Sequence, residues 1–436
     1  MSKITLKGDK GIWLVVMLLA LISIVSVFSS STYLANTAGS SKLVIFVAQI
    51  KSVLIGFFAL FICYMIPMRW YRFLSFFLFG ASVVLLLLLF VPGIKDVKNG
   101  AVRGIKLYGR TIQVFEFAKI GIILYLAKAI EYWQDSLNTF RDFAVKLLLP
   151  ILAVCGIIVV NSFSSAILIG TIGFLLMFFM QVKLRYLLIS LGGIFACILL
   201  MFGIYNAFYK NSTTPESEKG VIEKFFNRFG TVQNRVASFA SDINDKTEEE
   251  KIASMSDFEK KEYIDEIRQS ENAKIAISEG GIIGKGPGKS TQRYSLSMAY
   301  SDFIYAFIVE EYGLAGGTIV ILLYIMFLFR SIRISYKCQT LYSCSVVLGL
   351  SFLIVLQAFM HIFVNVRLMP ITGHTLPLIS HGGTAYMVLC GAFGIILSVS
   401  KQVDKQEQLE AAQAQVEATQ TEQINNDFNK EENYNG

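Results

Sequence analysis

Residues 279–317 read EGGIIGKGPGKSTQRYSLSMAYSDFIYAFIVEEYGLAGG. A glycine-rich, basic loop leads to one aspartate, Asp302, and an apolar helix carrying the adjacent acids Glu310 and Glu311 follows it. Ionisable groups at the mouth of a membrane helix are costly and usually functional. A carboxylate at a helix N-terminus can instead serve only the helix dipole. The stretch therefore predicts either a reaction centre at Asp302 or a simple helix start, and the rest of the chain bears on that choice.

The composition indicates a membrane protein. The chain has 436 residues, of which 54% are hydrophobic and only 16% charged, and its mean hydropathy is +0.56. About a quarter of the residues of a soluble domain are charged. The six cysteines show no zinc-ligand spacing and none lies in the long loop, so neither a metal cluster nor a disulfide framework is expected. No nucleic-acid partner is expected.

The fold class predicted from hydropathy is an all-α polytopic membrane protein with about ten transmembrane helices. One large external loop, 210–300, separates helices 7 and 8. The predicted domains are a cytoplasmic N-terminus (1–10), helices 1–7 (11–209), that loop, helices 8–10 (301–400) and a partly disordered cytoplasmic tail (401–436). The ten apolar runs are 11–35, 43–66, 73–92, 113–131, 145–161, 164–182, 186–209, 301–329, 342–366 and 382–400.

The distribution of Lys and Arg among the short loops predicts that both termini are cytoplasmic. The external loop 93–112 breaks this pattern because it holds five basic residues: Lys95, Lys98, Arg103, Lys106 and Arg110. An anionic ligand such as a phosphate would compensate that charge. Pairing with the acidic segment 242–265 of the long loop is the alternative.

Polar residues also lie inside the predicted helices. Glu116 and Lys119 are three residues apart, so they share a helix face and can pair. At about one and two turns below the outer surface they either line a cavity or form a structural ion pair. His361 and Asn365 share a face of the ninth helix, where a hydrogen bond between helices is the simpler role.

Two irregular segments lie at the outer face. The glycine-rich loop 280–293 offers flexible backbone and basic side chains, and such loops can cradle phosphates, although no Walker-type motif is present. The segment 370–383, PITGHTLPLISHGG, predicts an ordered re-entrant turn, because irregular backbone at membrane depth must be buried or line a cavity.

Five motifs in fixed order on this helical frame resemble the SEDS family of bacterial cell-wall synthesis, over residues 11–401. The resemblance is nearer to its FtsW branch than to its RodA branch. Some positions depart from the family pattern, among them Gly104, where the family has tryptophan. The matching segments are GAVRGIKLYGRTIQVFEFAK, NRVASF, GGIIGKGPGKSTQ, YSDFIYAFIVEEYGLAGG and PITGHTLPLISHGG.

The resemblance implies a peptidoglycan glycosyltransferase that polymerises lipid II at the outer face of the membrane during septal synthesis. It implies that Asp302 is the catalytic residue. A general base activates a hydroxyl nucleophile, and cations stabilise a leaving pyrophosphate. The implied substrate-binding residues are Arg103, Gln113, Glu116, Lys119, Arg235, Lys289, Ser290 and Ser380.

The resemblance also implies partners and a location. The partners are lipid II, a class B penicillin-binding protein and other divisome membrane proteins, and the location is the bacterial cytoplasmic membrane at the septum. No protein-bound metal is expected, although Mg²⁺ or Mn²⁺ could assist at the pyrophosphate. Three alternatives stay open: an elongation polymerase like RodA, a lipid II flippase, and a non-catalytic scaffold for a transpeptidase.

Overall fold

The structure is a computed structural model, and it describes residues 7–30, 42–91, 95–98, 101–107, 110–137, 139–204, 257–292 and 300–434. Helices dominate this part of the chain, and one small sheet lies between α3 and α4. The helices are α1 (Lys10–Ser30), α2 (Lys42–Met65), α3 (Met68–Leu87), α4 (Val114–Trp133), α5 (Phe140–Val159), α6 (Phe163–Phe179), α7 (Leu184–Ile204), α8 (Asp257–Gly280), α9 (Ile304–Tyr336), α10 (Leu341–Asn365) and α11 (Gly383–Tyr434).

The predicted polytopic fold is confirmed. Eight of these helices are long and apolar enough to cross a membrane. Two further helices match the remaining predicted spans and bring the number among the described residues to ten. They are α4, which carries four charged residues, and α6, which has only 17 residues. Local sequence sets several helix starts, since the hydroxyls of Ser162 and Thr340 cap α6 and α10 by accepting the amides of Ser165 and Ser343.

Burial separates central from peripheral helices. In the most apolar stretch of each span, 78% of α10 and 83% of α11 is buried inside the protein, against 11% of α7. The apolar core joins α1, α2, α9, α10 and α11, and a second cluster joins α3 to α6. Polar residues on α10 are therefore far from lipid, and they must find partners within the protein.

The basic external loop folds as a three-stranded antiparallel sheet, which the sequence did not predict. The strands are β1 (Lys95–Lys98), β2 (Ala101–Leu107) and β3 (Arg110–Ile112), in the order β1-β2-β3. At Gly104 in β2, a Cβ atom would lie 2.0 Å from the carbonyl oxygen of Ile112. No side chain fits there, so the tryptophan of the family pattern is excluded from this sheet.

Two segments outside the predicted spans contain helix. Part of the long external loop is the helix α8, whose Ala273 and Ala276 pack against Phe303 and Phe307 at the start of α9. The tail, predicted to be partly disordered, continues α11 as helix to Tyr434.

Candidate functional site

Asp302 lies two residues before α9 and is partly exposed. The Ser301 hydroxyl donates to Asp302 Oδ1 at 2.5 Å. The structure shows no further hydrogen bond to this carboxylate from the side chains that it describes. One carboxylate oxygen is therefore available to a ligand, while the backbone around it is fixed.

Three consecutive carbonyl groups hold this backbone. The amide of His381 donates to the Tyr300 oxygen at 2.9 Å, and the Ser380 hydroxyl donates to the Ser301 oxygen at 2.8 Å. The Asp302 oxygen accepts from Asn365 Nδ2 at 3.1 Å. The donors come from α10 and from the segment before α11, so several elements together set the position of the aspartate.

Asn365 joins the last turn of α10 to the first turn of α9. Its Oδ1 accepts the Ala306 amide at 3.0 Å, and its Nδ2 also donates to the His361 carbonyl at 2.8 Å. The side chain is fully buried, and both of its polar atoms are used. The sequence placed Asn365 on a face with His361, and the structure adds the link to Asp302.

A third polar residue continues this face of α10. Gln357 lies one turn before His361 and is fully buried. Its Oε1 accepts from Lys119 at 2.9 Å, and its Nε2 donates to the Thr375 carbonyl at 3.2 Å. The sequence reasoning missed Gln357, although its spacing of four residues from His361 and eight from Asn365 was a visible signal.

The predicted pairing of Glu116 with Lys119 is confirmed. Lys119 Nζ donates to Glu116 Oε1 at 2.6 Å, and the Lys119 side chain is fully buried. Its ammonium group therefore has two protein acceptors, Glu116 and Gln357. An ammonium group has three N–H donors, so these two acceptors leave one donor of Lys119 beyond them. The other oxygen of Glu116, Oε2, is buried without a hydrogen-bond partner.

The segment before α11 is an ordered turn, as predicted. The Ser380 amide donates to the Leu376 carbonyl, and the Leu376 amide donates to the Ser380 hydroxyl at 2.8 Å. A hydrogen bond at 2.8 Å joins His361 Nδ1 to the His374 carbonyl. Ser380, predicted to bind substrate, is thus buried and engaged in holding the turn and Ser301.

The glycine-rich loop pairs with the backbone of α9 around Gly313, where the backbone leaves the helical conformation. The amides of Lys285 and Gly286 donate to the carbonyls of Glu310 and Glu311, and the Leu314 amide donates to the Gly281 carbonyl. The pairing brings two backbones very close, and only glycine fits at the crossing. A Cβ atom on Gly284 would lie 2.3 Å from the Glu311 oxygen, and Gly313 would meet the Ile282 oxygen at 2.2 Å. Both glycines also have positive φ.

The anion that this loop surrounds is the carboxylate of Glu310. Lys285 Nζ donates to its Oε1 at 3.0 Å, as do the Thr291 amide at 2.8 Å, the Thr291 hydroxyl at 3.0 Å and the Gln292 amide at 3.2 Å. The Ser290 hydroxyl donates to Oε2 at 2.5 Å. The predicted phosphate cradle is therefore occupied by a carboxylate of the protein itself, and Ser290 is one of its donors.

Neighbouring charges complete the loop. Glu311 Oε1 accepts from the Ser29 hydroxyl at 2.5 Å and from the Gly288 amide at 2.9 Å, which ties the loop to α1. Lys285 also binds Glu279, and the Thr291 hydroxyl shares its proton between Glu279 and Glu310. These two contacts, that of Lys285 first, lower the pKa of the Glu279 carboxyl below its ordinary value.

Four predicted site residues remain. Lys289 is exposed, so its charge faces the outside. The Gln113 amide donates to the Thr384 hydroxyl at 2.9 Å, which ties the start of α4 to α11. For Arg103 the structure describes only the backbone of β2, and Arg235 lies outside the described residues.

Metal-binding side chains are not grouped in the part of the chain that the structure describes. No three His, Cys, Asp or Glu residues there lie close enough together to hold an ion.

Comparison with known proteins identifies the family. The model of the FtsW/RodA/SpoVE family, described as cell cycle protein, matches residues 9–405. The chain belongs to this SEDS family. Within it, the chain is 30% identical to the probable peptidoglycan glycosyltransferase FtsW of Thioalkalivibrio sulfidiphilus, over 90% of each chain. It is 31% identical to the protein of that name from Bacillus subtilis, over 73% of this chain and 71% of the relative.

Solved structures share the fold of this SEDS protein. A chain of a peptidoglycan synthase complex, studied for its coordination of polymerisation and crosslinking, matches with a TM-score of 0.67 at 22% identity. The match covers 92% of this chain and 99% of that chain. The rod shape determining protein RodA of Thermus thermophilus matches with a TM-score of 0.59 at 21% identity, over 90% and 97%. The protein is thus a multi-pass, FtsW-like protein of the bacterial cytoplasmic membrane.

Proposed function

We propose that this chain is a peptidoglycan glycosyltransferase that polymerises lipid II at the outer face of the membrane during septal synthesis. The observation that carries the proposal is the partly exposed carboxylate of Asp302 at the start of α9, with the carbonyls of Tyr300, Ser301 and Asp302 each held by a separate donor. A catalytic group needs such fixed placement, since small displacements cost large factors in rate. The names of the FtsW relatives support the same activity.

In this proposal Asp302 is the general base. As the 4-hydroxyl oxygen of the acceptor sugar attacks C1 of the donor sugar, its proton passes to the Asp302 carboxylate. The bond between C1 and the phosphate oxygen breaks, and its electron pair leaves with the lipid pyrophosphate. Because Ser301 occupies Oδ1, the proton is taken by the other carboxylate oxygen.

The leaving pyrophosphate requires positive charge, and we assign this role first to Arg103 and Lys289, with Arg235 as a further candidate. Arginine can engage phosphate oxygens in a bidentate manner. We assign a structural role to the four residues whose side chains are hydrogen-bonded to other groups of the protein: Glu116, Lys119, Ser290 and Ser380. A divalent cation, Mg²⁺ or Mn²⁺, is part of the proposal, since it would supply further positive charge to the leaving pyrophosphate.

The partner and the location extend the proposal. A class B penicillin-binding protein is the proposed partner, because a peptidoglycan synthase complex shares this fold. The proposed location is the division septum together with other divisome membrane proteins, with both termini in the cytoplasm. The resemblance to proteins named FtsW favours division over elongation.

The experiment that tests the activity uses the purified chain, together with its penicillin-binding partner, in proteoliposomes with labelled lipid II. The proposal expects glycan strands on gels and no acceleration of lipid II transfer between leaflets. Rapid transfer without polymer would favour a flippase. If neither activity is found while the partner's crosslinking is stimulated, the chain is a scaffold.

A further inference from the structure

The three histidines of the chain are His361, His374 and His381, and all of them lie within 21 residues beside Asp302. No step of the proposed mechanism uses them. His361 and His374 are both buried, and His361 is the one that lies in α10, one turn before Asn365. A buried imidazole with no assigned role is a candidate for proton transfer.

Geometry fixes the tautomer of His361. Its Nδ1 lies 2.8 Å from the His374 carbonyl oxygen, and a carbonyl oxygen can only accept. The proton of the neutral ring is therefore on Nδ1, and Nε2 carries a lone pair. This Nε2 is buried and has no hydrogen-bond partner among the described residues, and the same holds for His374 Nε2. Leaving such a nitrogen unpaired is costly, and accepting a proton would remove that cost.

One ionisable neighbour of His361 is Asp302. Asp302 lies within electrostatic range of the ring, and Asn365 bonds both the Asp302 and the His361 carbonyls. The other ionisable neighbours are His374, from the segment before α11, and the Glu116–Lys119 pair of α4, whose lysine contacts Gln357 one turn before His361.

The other elements that pack on α10 bring no competing charge to this position. Neither α6 nor the part of α11 up to Ser400 contains an Asp, Glu, Lys, Arg or His residue. On α9, Glu310 and Glu311 are bound by the glycine-rich loop. On α8, the residues facing the start of α9 are Ala273 and Ala276.

We propose that His361 is a positioning residue for Asp302 that acts as its internal proton acceptor. The inference rests on the proposed function. During polymerisation the bound donor and acceptor cover the Asp302 carboxylate, so the proton taken from the acceptor hydroxyl has no direct path to water. It passes from the Asp302 carboxyl to His361 Nε2, which gives an imidazolium ion and restores the carboxylate. The imidazolium ion loses this proton to water when the glycan advances.

Two substitutions separate this role from a structural one. In His361→Asn, the side-chain amide nitrogen takes the place of Nδ1 and still donates to the His374 carbonyl, but Nε2 is lost. In His361→Gln, the longer amide reaches the position of Nε2 without supplying a base. His381→Asn is the matched control, because it removes a neighbouring histidine that has a different partner, Gln49.

The experiment measures kcat for lipid II polymerisation against pH for these three variants, the wild type and Asp302→Asn, with folding checked by melting temperature. In the wild type, Asp302 must be ionised and His361 neutral, so log kcat rises with a slope approaching two in the acidic limb. We expect His361→Asn and His361→Gln to lose at least tenfold in kcat and to show a slope of one, while His381→Asn keeps the steeper limb.

The outcomes distinguish this inference from the proposed function. If His361→Asn has the wild-type rate and slope, the histidine is only a hydrogen-bond donor to the His374 carbonyl and the inference is wrong. If all His361 and His381 variants change the profile equally, the inference is also wrong, since the effect is not specific to Nε2. An active Asp302→Asn variant would instead contradict the proposed function itself.

Discussion

Removing Glu310 should release the glycine-rich loop. In the structure the carboxylate accepts five hydrogen bonds, from Lys285, Ser290, Thr291 (two) and Gln292, and it is fully buried. In Glu310→Ala the two backbone amides lose their acceptor, whereas Lys285 keeps Glu279 as a partner. Breaking a buried charged contact of this kind costs about 3–5 kcal/mol.

That cost should be seen as local opening of the loop. Since 1.4 kcal/mol is a factor of ten, this cost corresponds to hydrogen exchange faster by a factor on the order of 10²–10⁴ at the amides of Lys285 and Gly286. Glu310→Gln keeps one acceptor oxygen and loses the charge. Its expected cost is about 1–2 kcal/mol, roughly tenfold in exchange.

The assay is hydrogen–deuterium exchange of peptides covering residues 281–292, in detergent or nanodiscs, under conditions where exchange reports the opening equilibrium. Glu279→Gln is the matched control. This substitution removes the other partner of Lys285. Because the Glu279 side chain is 39% exposed, exchange should change by less than about fivefold. Wild-type protection in Glu310→Ala, or an equal effect of Glu279→Gln, would refute the reasoning.

Three further predictions concern other parts of the site. Gly284→Ala places a methyl group 2.3 Å from the Glu311 carbonyl, so the melting temperature should fall and the loop should exchange faster. Lys119→Met leaves Glu116 buried without its partner and should cost about 3–5 kcal/mol in thermal or denaturant unfolding, while adding Glu116→Gln should recover part of that loss. Arg103→Ala should raise KM for lipid II in initial-rate measurements about tenfold or more, and Arg103→Lys should recover only part of it, because lysine lacks the bidentate fork. Equal rates for Arg103→Ala and the wild type would remove this arginine from the substrate site.

Hydropathy and local pattern were sufficient for the frame of this protein. Each of the predicted spans corresponds to a described helix, because a bilayer requires long apolar runs. The pairing of Glu116 with Lys119 followed from helical spacing alone. Spacing also held the signal for Gln357, although its link to Lys119 depends on how α4 and α10 pack.

The role of the glycine-rich loop could not be read from its composition. A basic loop with many free amides is typical of phosphate binding. Which anion it surrounds depends on a distant part of the chain, Glu310, being brought under it by the break at Gly313. Likewise, Ser380 has the composition of a substrate ligand, but the tertiary structure directs its hydroxyl to the Ser301 carbonyl.

The central claim is that the Asp302 carboxylate performs the chemistry. Asp302→Asn tests it most directly, because asparagine retains an oxygen for the Ser301 hydroxyl and the backbone carbonyl for Asn365. The measurement is the initial rate of lipid II polymerisation, with Ser301→Ala as the control that loses only one hydrogen bond. The account predicts a fall of about 10²–10⁴-fold for Asp302→Asn at an unchanged melting temperature, and less than about tenfold for Ser301→Ala. A rate for Asp302→Asn within about threefold of the wild type would contradict a general-base role for Asp302.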